Sequence, residues 1–82
     1  MFKIGKVSHY YDKIGVAIVD LDAPLAVGDK VKFARGGEDL FTQTVDSIQL
    51  EHEKKDTAAK GDVIGLKTNE PVKEGTEVYK EN

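Results

Sequence analysis

The sequence predicts a small all-β domain, a closed antiparallel β-barrel of about six strands. β-branched and aromatic residues cluster in short runs between Gly, Pro, Asp and Asn, which is typical of strands and turns. No segment shows a sustained helical period of apolar residues. The chain has 82 residues and no cysteine. Its core is therefore thin, and closure into a barrel would remove exposed sheet edges. We expect one domain over residues 1–82.

The first strand is predicted over residues 2–10 and ends at the turn Tyr11-Asp12-Lys13. The second is predicted over 14–21, where apolar residues occupy both alternating sets of positions. That pattern favours a strand buried on both faces or one inside a closed barrel, with Gly15 marking a bend or a close backbone approach. Pro24 ends it, because proline lacks an amide hydrogen.

The third strand is predicted over residues 30–33, where Val31 and Phe33 alternate with lysines. A hairpin loop over 35–39 follows. The fourth strand is predicted to be long, over 41–53. Its apolar phase shifts before Ile48, as a β-bulge would cause.

The remaining chain is predicted as a charged loop over residues 51–56, a strand over 63–68, and a last strand over 77–80. A single helical turn within 51–60 is the alternative to the loop. Glycines and aspartates precede several strands, where a tight turn needs positive φ or a side-chain acceptor. The predicted structural turn residues are Gly28, Asp29, Gly61, Asp62 and Gly75.

The charge balance argues against tight, non-specific binding of nucleic acid. The chain has 12 basic and 15 acidic residues, which give a formal net charge of −3. Proteins that bind phosphate backbones usually carry a basic face. The first residues lack the apolar stretch of a signal peptide, and no run approaches the ~18 residues of a membrane span. We therefore expect a cytoplasmic protein without a membrane partner.

A family resemblance narrows the function. It rests on Val27-Gly28-Asp29-Lys30-Val31, then Thr44-Val45-Asp46-Ser47-Ile48, Ala59 to Leu66 with Gly61-Asp62, and Glu74-Gly75-Thr76-Glu77-Val78. In order and spacing these resemble the second domain of elongation factor Tu and related translational GTPases. The resemblance implies a translation-protein type of barrel. A similar barrel also ends some collagenase-like peptidases that modify RNA-related substrates.

The resemblance implies a stand-alone binding module for RNA of the tRNA type or for a ribonucleoprotein, with tRNA or the ribosome as partner. In that family the barrel helps to hold the 3′ end of tRNA. The corresponding segments here are residues 11–15, 49–52 and 64–66. The alternative is a protein–protein module that docks a larger enzyme or factor. A phosphate-binding loop is absent from the sequence, so we expect no nucleotide binding by this chain.

Aromatic side chains beside cations can stack on bases and contact phosphate. An alternative for the first turn is that one tyrosine packs on the barrel and the other lies on the surface. The predicted binding residues are Tyr10, Tyr11, Lys13, Gln49, His52, Lys54 and Lys55.

Catalysis and cofactor binding are not predicted. Ser8 and Ser47 lack a sequence context that would activate a nucleophile. His52 and its acidic neighbours favour a solvated charged loop over a metal site, because consecutive strand residues point to opposite faces. We therefore expect no enzyme activity, no metal and no cofactor. A small-molecule or metal binder is the third hypothesis.

Overall fold

The computed structural model describes residues 2–81 and contains, within them, ten β-strands and no helix. The all-β prediction is confirmed. The strands are β1 (Phe2–Tyr11), β2 (Val16–Leu21), β3 (Leu25–Ala26), β4 (Lys30–Arg35), β5 (Glu38–Thr44), β6 (Ile48–Leu50), β7 (Glu53–Lys55), β8 (Thr57–Ala58), β9 (Val63–Lys67) and β10 (Glu77–Glu81).

Eight of the strands form one antiparallel sheet in the order β5-β4-β10-β1-β2-β9-β6-β7. Strands β3 and β8 pair separately. Across the described part of the chain no strand pairing joins β5 to β7, so the predicted closure into a barrel is not confirmed.

One face of the curved sheet forms the hydrophobic core. The phenyl rings of Phe33 and Phe41 stack there with centroids 4.8 Å apart. Alternation along the strands places every second side chain on this face. The core residues are Ile4, Val7, Ala17, Val19, Leu21, Leu25, Val31, Phe33, Val45, Ile48, Ala58, Ile64, Leu66, Val72 and Val78.

Two turns of the sequence type Ala-x-Gly-Asp share one geometry. Gly28 has φ 96° and Gly61 has φ 92°, in the left-handed region that glycine tolerates. In the first turn, Asp29 Oδ2 accepts a hydrogen bond from the Ala26 amide at 2.9 Å. In the second, Asp62 Oδ2 accepts one from the Ala59 amide at 2.8 Å. A third turn has Gly75 at φ 89°. Each of the three turns is followed within two residues by a long strand.

The prediction of a second strand buried on both faces is wrong. The strand begins at Val16, and Ile14 lies in the preceding turn with 61% of its surface exposed. Gly15 also belongs to that turn, with φ 67°. Only alternate residues of β2 are fully buried, while Val16 and Ile18 are half-buried on the outer face. Their exposure leaves an apolar surface that the core does not use.

The predicted long fourth strand is also wrong. Strand β5 ends at Thr44 and pairs with β4, whereas β6 begins at Ile48 and pairs with β7 and β9. Between them, Val45 exchanges backbone hydrogen bonds with the turn at Gly28 and Asp29. The phase shift therefore marks a change of strand partner and not a bulge.

The predicted charged loop over 51–56 is a hairpin. Leu50 pairs with Glu53, and β7 follows at once. The predicted loop over 35–39 is likewise a tight turn. Only Gly36 and Gly37 lie between the paired residues Arg35 and Glu38.

Candidate functional site

A cleft of about 380 Å³ lies on the outer face of the sheet. Three chain segments form it: the β1–β2 turn with the first half of β2, the β6–β7 hairpin, and the first half of β9. Hydrogen bonding of β9 to both β2 and β6 holds the three together. The lining residues are Tyr11, Ile14, Val16, Ile18, Gln49, Glu51, His52, Val63, Ile64 and Gly65.

The cleft is mainly apolar and open to solvent. Tyr11 is 49% exposed, Ile14 61% and Val63 53%. The half-buried side chains of Val16 and Ile18 lie between them. Single exposed apolar residues are ordinary on a protein surface, but a contiguous group around a concavity is typical of a binding site.

Gly65 explains why there is a cleft at this point. It pairs with Ile18 on one side and with Gln49 on the other, so the three residues share the outer face. A Cβ on Gly65 would meet Val16 Cγ1 at 3.4 Å and Gln49 Cβ at 3.6 Å, which are ordinary contact distances. The backbone there would accept a side chain. Because Gly65 has no side chain, a space remains between Ile18 and Gln49 on the outer face.

The hairpin at the edge of the cleft has an unusual backbone. Glu51 has φ 52° and His52 has φ 65°, and these two residues form the turn between Leu50 and Glu53. Two successive positive φ angles define a tight hairpin turn that Asn and Gly normally occupy. The left-handed conformation costs an ordinary residue roughly 1–2 kcal/mol. Strained backbone of this kind is common at functional sites.

The predicted binding residues separate into two groups. Tyr11, Gln49 and His52 line the cleft. Tyr10 does not, because it pairs with buried Ala17 and packs against the core on the opposite face.

The predicted lysines lie around the cleft and not in it. Lys13 is exposed in the β1–β2 turn. Lys54 pairs with Gln49 across β6 and β7. Lys55 lies on the other face of β7, and its Nζ is 3.2 Å from Glu53 Oε2.

Sequence reasoning missed part of the apolar lining of the cleft. Val16, Ile18 and Val63 lie outside the predicted segments 11–15, 49–52 and 64–66, whereas Ile14 and Gly65 lie within them. The signal was present in the second strand, whose outer-face residues are apolar without a second layer to cover them. The outward direction of these side chains became clear only from strand register.

A second cleft, of about 330 Å³, lies between the β4–β5 hairpin and the segment before β10. It is lined by Arg35, Glu38, Leu40, Pro71, Val72 and Lys73. Leu40 there is an extra residue in β5, because Phe33 pairs with Phe41 while Ala34 pairs with Asp39. Bulges and charges of this kind protect a sheet edge from pairing.

Within residues 2–81, no group of three His, Cys, Asp or Glu side chains is placed to hold a metal ion. The same residues include no helix long and apolar enough to cross a membrane.

No family model matches the sequence. An uncharacterised protease of Methanocaldococcus jannaschii is 34% identical over 77 residues, which are 94% of this chain and 19% of that protease. The chain thus spans about a fifth of the length of this relative.

Two crystal structures share the fold. Both are of the C-terminal domain of a Geobacillus thermoleovorans protein assigned as a U32 peptidase. The first has a TM-score of 0.90 and 26% identity, and covers 99% of this chain and 93% of that domain. Its selenomethionine variant has a TM-score of 0.88 and 24% identity, covering 95% and 98%.

These similarities correct the predicted family and function. The resemblance to elongation factor Tu is wrong, and so is the RNA-binding translation module inferred from it. The motifs that suggested it were mostly glycine turns, and their hydrogen bonds show that they serve local geometry. A larger protein partner stays a prediction. In fold and sequence, the chain is similar to the C-terminal domain of a protein assigned as a U32 peptidase.

Proposed function

We propose that this chain is a protease-associated domain of the U32 type, which binds through the cleft and does not itself hydrolyse peptides. The likeness to a U32 peptidase C-terminal domain carries the proposal, because it extends over nearly the whole of both chains. The related protease is about five times longer than the matched segment. Peptide hydrolysis then belongs to other parts of such proteins.

The side chains support a role in binding over one in catalysis. A hydrolytic serine needs a base within hydrogen-bond reach. The Ser8 hydroxyl instead donates to the Ile18 carbonyl at 3.4 Å. His9 Nδ1 lies 3.1 Å from Glu74 Oε2 in an exposed pair, and its ring packs edge-on against Tyr11 at the edge of the cleft, with centroids 4.5 Å apart. The sequence has no cysteine that could act as a nucleophile.

The proposal is tested by assaying the purified chain for hydrolysis and for binding in one sample. Unfolded casein serves as substrate, and backbone amide NMR shifts of the chain report binding. We expect no new peptide fragments, and shift changes confined to the β1–β2 turn, the β6–β7 hairpin and β9. A His9→Ala variant is the control for trace protease contamination. Cleavage that co-purifies with the chain and disappears in that variant would overturn the proposal.

A further inference from the structure

The apolar lining of the cleft and the charges around it favour one chemical class of ligand. We propose that it holds an extended, uncharged peptide segment, with one apolar side chain of that segment packed over Gly65. This inference rests on the proposed function and names the ligand of the same site.

The space over Gly65 is bounded like a pocket for a single side chain. Ile18 and Gln49 lie on either side of it across the strands. Val63 precedes it by two residues on the same face, and Val16 Cγ1 approaches the missing Cβ position to 3.4 Å. An apolar side chain placed there would cover Val63 and Ile14, which are otherwise more than half exposed. Removal of this surface from water favours binding.

The charges around the cleft favour an uncharged ligand over a polyanion. Three cations surround it: Lys13 in the turn, Lys67 opposite Val16, and Lys54 opposite Gln49. Three carboxylates balance them. They are Asp12 in the same turn, Asp20 opposite Val63, and Glu51 in the lining. Phosphate backbones and acidic peptides need a net positive surface, which this balance does not supply.

The polar groups of the cleft suit a peptide backbone. Gln49 is exposed on β6 with an amide that can both donate and accept a hydrogen bond, as a peptide group does. The strained turn holds His52 at the same end of the cleft. The apolar residues of the cleft thus contact an apolar side chain of the bound peptide. Gln49 and His52, at the polar end, contact the peptide main chain beside it.

The test is an NMR titration of the full chain with two blocked pentapeptides, Ac-Gly-Ala-Leu-Ala-Gly-NH₂ and the same peptide with Asp in place of Leu. We expect the Leu peptide to shift amides of residues 11–18, 49–52 and 63–65, and to bind about tenfold more tightly than the Asp peptide. In Gly65→Val the new side chain fills the space, and affinity for the Leu peptide falls by about the same factor. Thr42→Val adds an apolar group to an exposed position on β5 and leaves the affinity unchanged.

A second variant guards against misfolding. Ile14→Ser changes a residue that is 61% exposed, so the fold persists while the apolar wall is lost. Equal binding of the two peptides, unchanged affinity in both cleft variants, or tighter binding of an oligonucleotide than of the Leu peptide would each overturn the inference. The two proposals fail separately. Cleavage by the chain refutes only the non-hydrolytic role. Loss of Leu-peptide binding, while unfolded casein still shifts the cleft amides, refutes only the ligand assignment.

Discussion

The side-chain amide of Gln43 donates a hydrogen bond from Nε2 to the backbone carbonyl of Lys67 at 2.8 Å. Its Oε1 accepts another from the amide of Asn69, also at 2.8 Å. Gln43 belongs to β5 and is 5% exposed. One side-chain amide therefore takes the place of a peptide group and joins an end strand of the sheet to the chain leaving β9.

Replacement of Gln43 by Ala removes both contacts. The two hydrogen bonds are part-buried, and each contributes about 0.5–1.5 kcal/mol net. We expect the free energy of unfolding to fall by about 1–3 kcal/mol in a urea titration. Gln49→Ala is the matched control, because Gln49 is exposed, and it should change stability by less than about 0.5 kcal/mol. Equal effects of the two variants would contradict the bridging role.

Two glycines with ordinary φ angles differ in the space around them. A Cβ on Gly5 would lie 2.7 Å from the Asp20 carbonyl oxygen and 2.8 Å from Val19 Cγ1. Backbone must shift to admit it, so we expect Gly5→Ala to destabilise the fold by about 1–3 kcal/mol. Gly65→Ala meets nothing closer than 3.4 Å. It should stabilise the strand by about 0.5–1 kcal/mol, since glycine is costly in strand interiors. Thermal unfolding of both variants measures the difference, and shifts of the same sign would refute it.

The strain in the β6–β7 turn should be removable. Glu51→Asn with His52→Gly supplies the pair that this turn favours. We expect the free energy of unfolding to rise by about 1–2 kcal/mol. In a domain of this size, Tm should rise by roughly 4–8 °C for each kcal/mol. Glu51→Ala with His52→Ala is the matched control, because alanine removes both side chains but does not favour positive φ. A Tm unchanged in both variants would show that the turn carries no strain.

The sequence predicted the all-β class because alternation and turn glycines are local signals. Lys30 to Phe33, for example, alternates as a half-buried strand does, and it is one. The prediction of a long strand over 41–53 is wrong at Val45, because burial of that residue depends on contacts with a turn distant in sequence, at Gly28. Segments 11–15, 49–52 and 64–66 do meet in the cleft. The contribution of Val16 and Ile18 to the cleft was not predicted, because strand register decides whether these side chains face the core or solvent.

The twin Ala-x-Gly-Asp turns allow one ion pair to be measured against an internal reference. Asp29 and Asp62 both accept a hydrogen bond from the amide three residues earlier. Among the residues that the structure describes, only Asp29 of the two also lies near a cation: Lys80 Nζ is 3.2 Å from Asp29 Oδ2. The side chains of this pair are 22% and 31% exposed, so solvent screens them only partly.

Replacement of each aspartate by Asn keeps a side-chain oxygen for the turn and removes the charge. Asp29→Asn should therefore cost about 0.5–1 kcal/mol more than Asp62→Asn in low salt. Raising NaCl to about 1 M shortens the screening length to roughly 3 Å, and the difference between the variants should shrink. Urea titrations of both variants at the two salt concentrations provide the measurement. A difference that persists at high salt would place the extra stability of the first turn in its hydrogen bonds and packing, not in the contact with Lys80.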